Sequence, residues 1–286
     1  MKETLSFPAQ LDGSLWLYRR SGVPRFMHRH DELELNLVLS GTATYLLRGR
    51  SYRLTEGSLV WLFPEQDHLL VNETTDYTMW IGVFRPCLVH RVCNELSAHP
   101  LQAAAPHESF CRNLSFPQRE RLENLFAELT HHHNDSPLYN IGLAFALALA
   151  WRLYLEAEKQ PPGTRLPPSV EQALRLLRDE GALTLSVLAK RCYQSPSHLS
   201  RLFHKHVGMT IADYRNQQRL TRFRRLCISN PDRSLLELAL EAGFGSYAQF
   251  HRIFTKEFGI SPQRYRKNIE DSALNASRSG SGSASQ

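Results

Sequence analysis

A chain of 286 residues favours two domains over one and is ample for sizeable cores. With 42% hydrophobic and 22% charged residues its composition is ordinary globular, which excludes fibrous and wholly disordered classes. The net charge of +6 is unevenly placed: residues 1–168 carry 16 Lys and Arg against 18 Asp and Glu, whereas residues 169–267 carry 17 against 8. A basic block attached to a near-neutral one is the footprint of a polyanion-binding unit.

At the start of the chain, MKETLSFPAQ has no charged stretch leading into an apolar run, so no signal peptide is expected. The five cysteines, Cys87, Cys93, Cys111, Cys192 and Cys227, are odd in number and widely spaced, without CxxC. They read as reduced thiols of a cytoplasmic protein, mostly in its core. From about Phe7 to Val92, short apolar runs such as LELNLVLSG, ATYLLRGRSYRL and GSLVWLFP alternate with turn residues, the rhythm of a β-barrel or sandwich. Within this region GVPRFMHRHDELELNLVLSG puts His28, His30, Glu34 and Asn36 on one face of an alternating strand and Leu33, Leu35, Leu37 and Leu39 on the other. Two imidazoles and a carboxylate converging inside a barrel could ligate a divalent metal, with His68 a fourth candidate. The same groups could instead line an organic-effector pocket or hydrogen-bond among themselves. Trp61, Phe63, Trp80 and Phe84 read as barrel core.

From Pro117 the spacing becomes helical. PQRERLENLFAELT places Leu122, Leu125, Phe126 and Leu129 on one stripe, and a second, more apolar helix follows HHHNDSP. The run from Ile141 to Leu155 is short for a bilayer and contains Arg152, so a buried helix is expected rather than a membrane span. The turn histidines His131, His132 and His133 read as a solvated run. Next, KQPPGTRLPPS is too proline-rich for either helix and reads as an extended linker, with a domain boundary near residue 165. Everything after it is helical in pattern until DSALNASRSGSGSASQ, which has no apolar face to bury and is expected to be disordered.

The helical block contains a repeat. LAKRCYQSPSHLSRLFHKHVGMTIADYR aligns with LALEAGFGSYAQFHRIFTKEFGISPQRYR, with one extra residue in the second turn. Each copy reads as helix, tight turn, helix. The second copy opens on the capping box Ser234-x-x-Glu237; in the first, Ser195 stands at an N-cap with Pro196 after it. Leu199, Leu202, Phe203 and Val207 form an apolar stripe that Phe250, Ile253, Phe254 and Phe258 repeat. The opposite faces carry Ser197, Ser200, Arg201 and His204, and Ala248, His251, Arg252 and Thr255, the short polar groups and arginines that meet base edges in a major groove. Between the copies, TIADYRNQQRLTRFRRLCIS reads as one long helix capped by Thr210. A rigid spacer of that kind lets two reading helices enter successive major grooves of double-stranded DNA, roughly 34 Å apart.

These residues carry two resemblances. Gly243-Phe244, Ser246, Phe250, Arg252, Phe254, Gly259, Ser261-Pro262 and Tyr265-Arg266 resemble the signature of AraC/XylS-type bacterial transcription regulators. That resemblance covers about a third of the chain and implies that Ser197, Ser200, Arg201, Tyr247, Gln249, His251 and Arg252 stand where bases or phosphates are contacted. His28-x-His30, Glu34 and Gly41 resemble the first cupin motif; the second is poorer, with Gln66 where glycine is expected and His68 displaced by one. The implied protein is α+β with two domains: a cupin-like effector barrel (1–116), a helical hairpin that pairs two chains (117–158), a linker (159–168), a tandem helix-turn-helix domain (169–268) and a tail (269–286). Its implied function is effector-controlled transcription regulation, activation being the commoner mode of the resembling family, with DNA, a small-molecule effector, a second copy and RNA polymerase as partners. No cofactor is required beyond a divalent metal in the barrel, if one binds there. A metal-dependent cupin enzyme with an appended DNA-binding domain is the alternative.

Overall fold

The computed structural model describes residues 5, 7–20, 27–96, 99–104, 106, 110–161, 163–180, 183–269 and 271. Of the tail expected over 269–286, residues 269 and 271 are helical and 272–286 lie outside the described residues, as does the start of GVPRFMHRH over 22–26.

Two antiparallel sheets face one another. The six-stranded sheet runs β1 (Gly13–Arg19), β7 (Thr78–Phe84), β2 (Leu33–Ser40), β5 (Ser58–Leu62), β8 (Cys111–Asn113) and β9 (Glu158–Lys159). The four-stranded sheet runs β10 (Thr164–Arg165), β4 (Arg50–Leu54), β3 (Ala43–Leu47) and β6 (His68–Val71). Arg48 and Gly49 both have positive φ, 48° and 71°, which closes the β3–β4 hairpin as a two-residue turn matched to strand twist.

Three apolar layers follow from the period of two. Inward residues Val38, Tyr45, Leu47, Val60, Leu62, Leu70 and Ile81 fill the space between the sheets. The outer face of the six-stranded sheet, with Leu35, Leu37, Trp61, Phe63, Trp80 and Phe84, packs on helices α1 (Pro86–Leu96), α2 (Phe116–His131) and α3 (Ser136–Glu156). The outer face of the four-stranded sheet, with Leu46, Leu69 and Val71, packs on helices of the basic block. Trp61, Phe63, Trp80 and Phe84 thus sit in the core beneath α1–α3.

The helical hairpin is α2 and α3. By length and composition α3 could cross a membrane, and half of its most apolar window is buried inside the protein. It is not the fully buried helix expected: Tyr139, Leu143, Leu147, Ala150 and Tyr154 point inward, while Leu138, Ile141, Phe145 and Leu155 form an exposed ridge. The proline-rich segment is extended, as its composition demands, and it is also paired: β9 adds to β8 and β10 adds to β4, one edge strand for each sheet.

The basic block is α4 (Pro168–Asp179), α5 (Leu185–Arg191), α6 (Pro196–Val207), α7 (Ile211–Ser229), α8 (Leu235–Glu241), α9 (Tyr247–Phe258) and α10 over 262–269. Phe223, Phe244, Phe250 and Phe254 anchor the second helix-turn-helix around a core of its own.

Candidate functional site

Both reading helices start and stop as the repeat requires. Ser195 Oγ accepts from His198 N at 3.3 Å and Ser246 Oγ from Gln249 N at 3.2 Å, which satisfies a first-turn amide in each. Gly208 and Gly259 end the helices at φ 77° and 68°, left-handed positions where a side chain would be strained. The turns are also equivalent: Gln194 N donates to Ala189 O and Phe244 N to Ala239 O, over Tyr193 at φ 55° and Gly243 at φ 101°. The linking helix α7 has 19 residues, about 28 Å of rise, with Thr210 accepting from Asp213 N at 3.0 Å as its cap.

Ser197, Arg201 and His204 are exposed on α6 and Ser200 is half-buried beside them. On α9, His251 and Arg252 are exposed and Tyr247 is half-buried against Phe250. Gln249 turns back on its own N-terminus, its Oε1 accepting from Gly245 N at 3.1 Å. Gln249 and Arg252 also line a cleft of about 500 Å³ whose far wall belongs to the β domain, at Arg20, Asn72 and Glu73. Sequence periodicity gives no sign of this wall, because it shows only which side of a helix is polar.

The second constellation lies between the sheets. His28, His30, Glu34, Asn36 and His68 converge there and all are buried or nearly so. Glu34 and Asn36 reach the interior by strand alternation, but His28 and His30 do not: the chain bends at Asp31 and Glu32 before β2, and His28 is held by a bridge in which its N donates to His68 O at 3.1 Å and its O accepts from His68 N at 2.9 Å. The continuous alternation expected from His28 to Glu34 is therefore replaced by a bend and a bridge, and the convergence is the same.

His30 Nε2 lies 2.7 Å from Glu34 Oε2, and Asn36 Nδ2 donates to Glu34 Oε1 at 2.8 Å and to Tyr45 OH at 3.1 Å. Burial opposes a charge on His30, but its contacts with Glu32 and Glu34 outweigh it and raise the imidazole to about 10. Burial would raise the Glu34 carboxyl, yet the bond from His30 holds it well below the carboxylate range. These two are an ion pair. Burial, followed by the neighbouring His28, pushes His68 down to about 3, so it is neutral. Its Nδ1 faces Gln66 O at 3.0 Å and therefore carries the proton, which leaves Nε2 as a buried lone pair with no hydrogen-bond partner, 3.9 Å from Glu34 Oε2.

His28, His30 and His68 each carry one ring nitrogen within 4.8 Å of the others, and His30 can offer its own only by giving up one of its two ring protons. A neutral histidine whose far nitrogen is tied to a carbonyl while its near nitrogen waits is the arrangement of a metal ligand, so this donor set fits a divalent ion. Sequence reasoning missed Tyr45, Glu32 and Gln66. Gln66, which stands where the motif expects glycine, closes the turn before β6 by bonding Phe63 N through Oε1 at 3.3 Å and orients His68 through its carbonyl.

Comparisons with known proteins agree with this division. The family described as AraC-like ligand binding domain matches residues 9–148, and that described as helix-turn-helix domain matches residues 188–268. The chain is 24% identical to the melibiose operon regulatory protein of Escherichia coli K12, over 84% of this chain and 83% of that protein. It is 25% identical to the HTH-type transcriptional activator RhaR of Klebsiella pneumoniae, over 86% of this chain and 89% of that one. To the probable transcription factor PqrA of Proteus vulgaris it is 35% identical, over 33% of this chain and 75% of that protein. A chain that joins this ligand-binding domain to this helix-turn-helix domain belongs to the AraC family of DNA-binding transcription regulators, which are not enzymes.

Proposed function

We propose that the chain is an effector-controlled transcription activator and that its effector seat is the histidine cluster between the sheets. The observation that carries the seat is His68 Nε2, a buried lone pair without a partner that faces two further imidazoles. A buried acceptor left unmade costs free energy, so such a group is kept for a ligand that pairs with it. The ring centroids of His28 and His68 are only 4.2 Å apart and those of His30 and His68 5.4 Å, spacing that suits a single ion better than an organic molecule. The occupant of this reading is a divalent metal, held by His28, His30 and His68 with Glu34 fixing His30. RhaR, a relative named as an activator, supports the direction of control, and RNA polymerase is then a partner. Ser197, Ser200, Arg201 and His204 on α6, with Tyr247, Gln249, His251 and Arg252 on α9, are the side chains assigned to DNA.

The exposed ridge of α3 is assigned to a second copy of the chain. Leu138, Ile141 and Phe145 follow the three-then-four spacing of a helix pair and Leu155 resumes it further on. Phe145→Glu is expected to convert a dimer to monomer in sedimentation velocity at micromolar concentration; a wild-type monomer there removes the assignment.

Metal content of purified, tag-free protein tests the seat. Near-stoichiometric metal, lost in His30→Ala, is expected. Equal metal in both proteins would point to the exposed histidines of the α2–α3 turn, and none in either would turn the reading to an organic effector.

A further inference from the structure

Where Leu69 and Val71 of β6 pack with Leu174 of α4 and Phe203 of α6, the β domain and the basic block share one apolar seam. Beside it opens the cleft of about 500 Å³, a volume that suits a small organic ligand. On one side Asp213, Gln217 and Leu220 of α7 stand with Ile253, Lys256 and Glu257 of α9. Asn72 and Glu73, just past β6, belong to the facing wall, and the Tyr18 hydroxyl lies 3.0 Å from each carboxylate oxygen of Glu73.

Two oxygens on the helical side are unpaired. Gln217 is 7% exposed and its Oε1 has no hydrogen-bond partner; Glu257 Oε1 is buried as well and also has none. Burial raises the Glu257 carboxyl above its ordinary value, against the pull of Lys256, and the nearby Asp213 carboxylate adds to the rise. A buried acceptor left unmade costs free energy, so both oxygens favour an occupant that pairs with them. Gln217 can present either end of its amide, but an ionised carboxylate only accepts, which makes the occupant a donor. Arg20, Arg252 and Lys256 also line the cleft; they are exposed, and neither unpaired oxygen receives a bond from them. A bare metal ion fits poorly, because among the described residues only His28, His30 and His68 bring three such ligand atoms together. Along the same lining Leu220 is buried and Met209 and Ile253 are half-buried, an apolar surface for methylene groups.

We propose that this cleft is a second small-molecule site, separate from the histidine cluster, and that it takes an aliphatic diamine or polyamine. One ammonium group bonds to Gln217 and Glu257, another to Glu73, and the chain between them lies on Leu220 and Ile253. The net charge of the protein is +6, and residues 169–267 carry 17 basic against 8 acidic side chains, so cations are repelled in general and one held here needs a built site. The proposal does not depend on metal in the histidine cluster.

Calorimetric titration of the full-length, DNA-free protein with 1,4-diaminobutane and with spermidine tests the site, beside 1,4-butanediol, which keeps the chain and loses the charge. Saturable one-to-one uptake of at least one amine, and none of the diol, is expected. Glu257→Gln keeps the shape and removes the charge, and Gln217→Met removes the amide; each should weaken uptake roughly tenfold, the size of one charge-assisted hydrogen bond. Zinc chloride, as the probe of the histidine cluster, should leave amine affinity unchanged. No uptake of either amine at millimolar concentration, equal uptake of the diol, full affinity in both variants, or competition by zinc overturns the proposal. If zinc itself does not bind, the metal reading fails and the amine result stands. Hydrogen exchange on the wild type gives a test that needs no variant: saturating amine must protect α7 around residues 213–217 and the end of α9, and protection confined to β2 and β6 overturns the site.

Discussion

The two helix-turn-helix copies have one sequence pattern and two different supports. In the first, Leu199, Phe203 and Val207 pack with Leu46, Leu69 and Val71 of the four-stranded sheet. In the second, Phe250 is ringed by Phe223, Phe244 and Phe254 at centroid distances of 4.4, 5.2 and 5.4 Å, in a cluster that includes no β-domain residue. Their leading helices differ as well: α5 ends on Lys190 and Arg191, α8 on Leu240 and Glu241. Duplication of a motif fixes its caps and its stripe, but leaves open what the stripe rests on. The first copy is built into the effector domain, and the second is self-supporting.

The sharpest way to break this comparison is a matched pair of core truncations. Phe203→Ala and Phe250→Ala should each cost about 3–5 kcal/mol, the usual loss for a fully buried ring. All four tryptophans, Trp16, Trp61, Trp80 and Trp151, lie in the N-terminal part, so their emission follows that part alone. In a urea titration Phe203→Ala should shift the tryptophan transition, because its cluster includes sheet residues, while Phe250→Ala should leave it in place and shift only the helical signal. Equal shifts of the tryptophan transition would show that the two copies are supported alike.

A smaller effect separates the reading heads. Arg201→Ala and Arg252→Ala should each weaken specific DNA binding by about 1–3 kcal/mol if the guanidinium makes a bidentate base contact. Unchanged gel-shift affinity in both would remove these arginines from base readout. The smallest expected effect sharpens the likeness of the two turns. Gly243→Ala meets only Arg219 atoms at 3.7 Å, so space is not its problem; the φ of 101° is, and about 1 kcal/mol should be lost in thermal melting. Tyr193 holds the equivalent left-handed position while 88% exposed, and Tyr193→Gly should be neutral or slightly stabilising.

The repeat was legible because helix caps and apolar stripes are local: Ser195, Ser234 and Thr210 announce their roles within four residues of chain. The imidazole cluster was half legible. His-x-His and Glu34 fix which residue types meet, but the bend at Asp31 and the His28–His68 bridge are tertiary, and no period records them. The seam was not legible at all. Alternation in HLLV separates two faces of β6 only when one of them is wet, and here both are buried, so the sequence reads as apolar without saying against what. For the same reason the run in α3 did not distinguish its inward residues from the ridge of Leu138, Ile141 and Phe145.

The edge strands of the proline-rich segment have a mechanical consequence. Residues Thr164 and Arg165 are stitched to β4, and Leu166 is buried with its N bonded to Gly49 O at 2.7 Å, so the tether ends there and only Pro167 precedes α4. A proline has a fixed φ, and one or two residues extend only a few ångströms, at about 3.5 Å each. Once unseated, the DNA-binding unit cannot drift away; it swings about a stiff pivot at the edge of the β domain. Its local concentration at the seat then stays at the high level of a very short linker, which favours the seated arrangement beyond what the contacts alone supply.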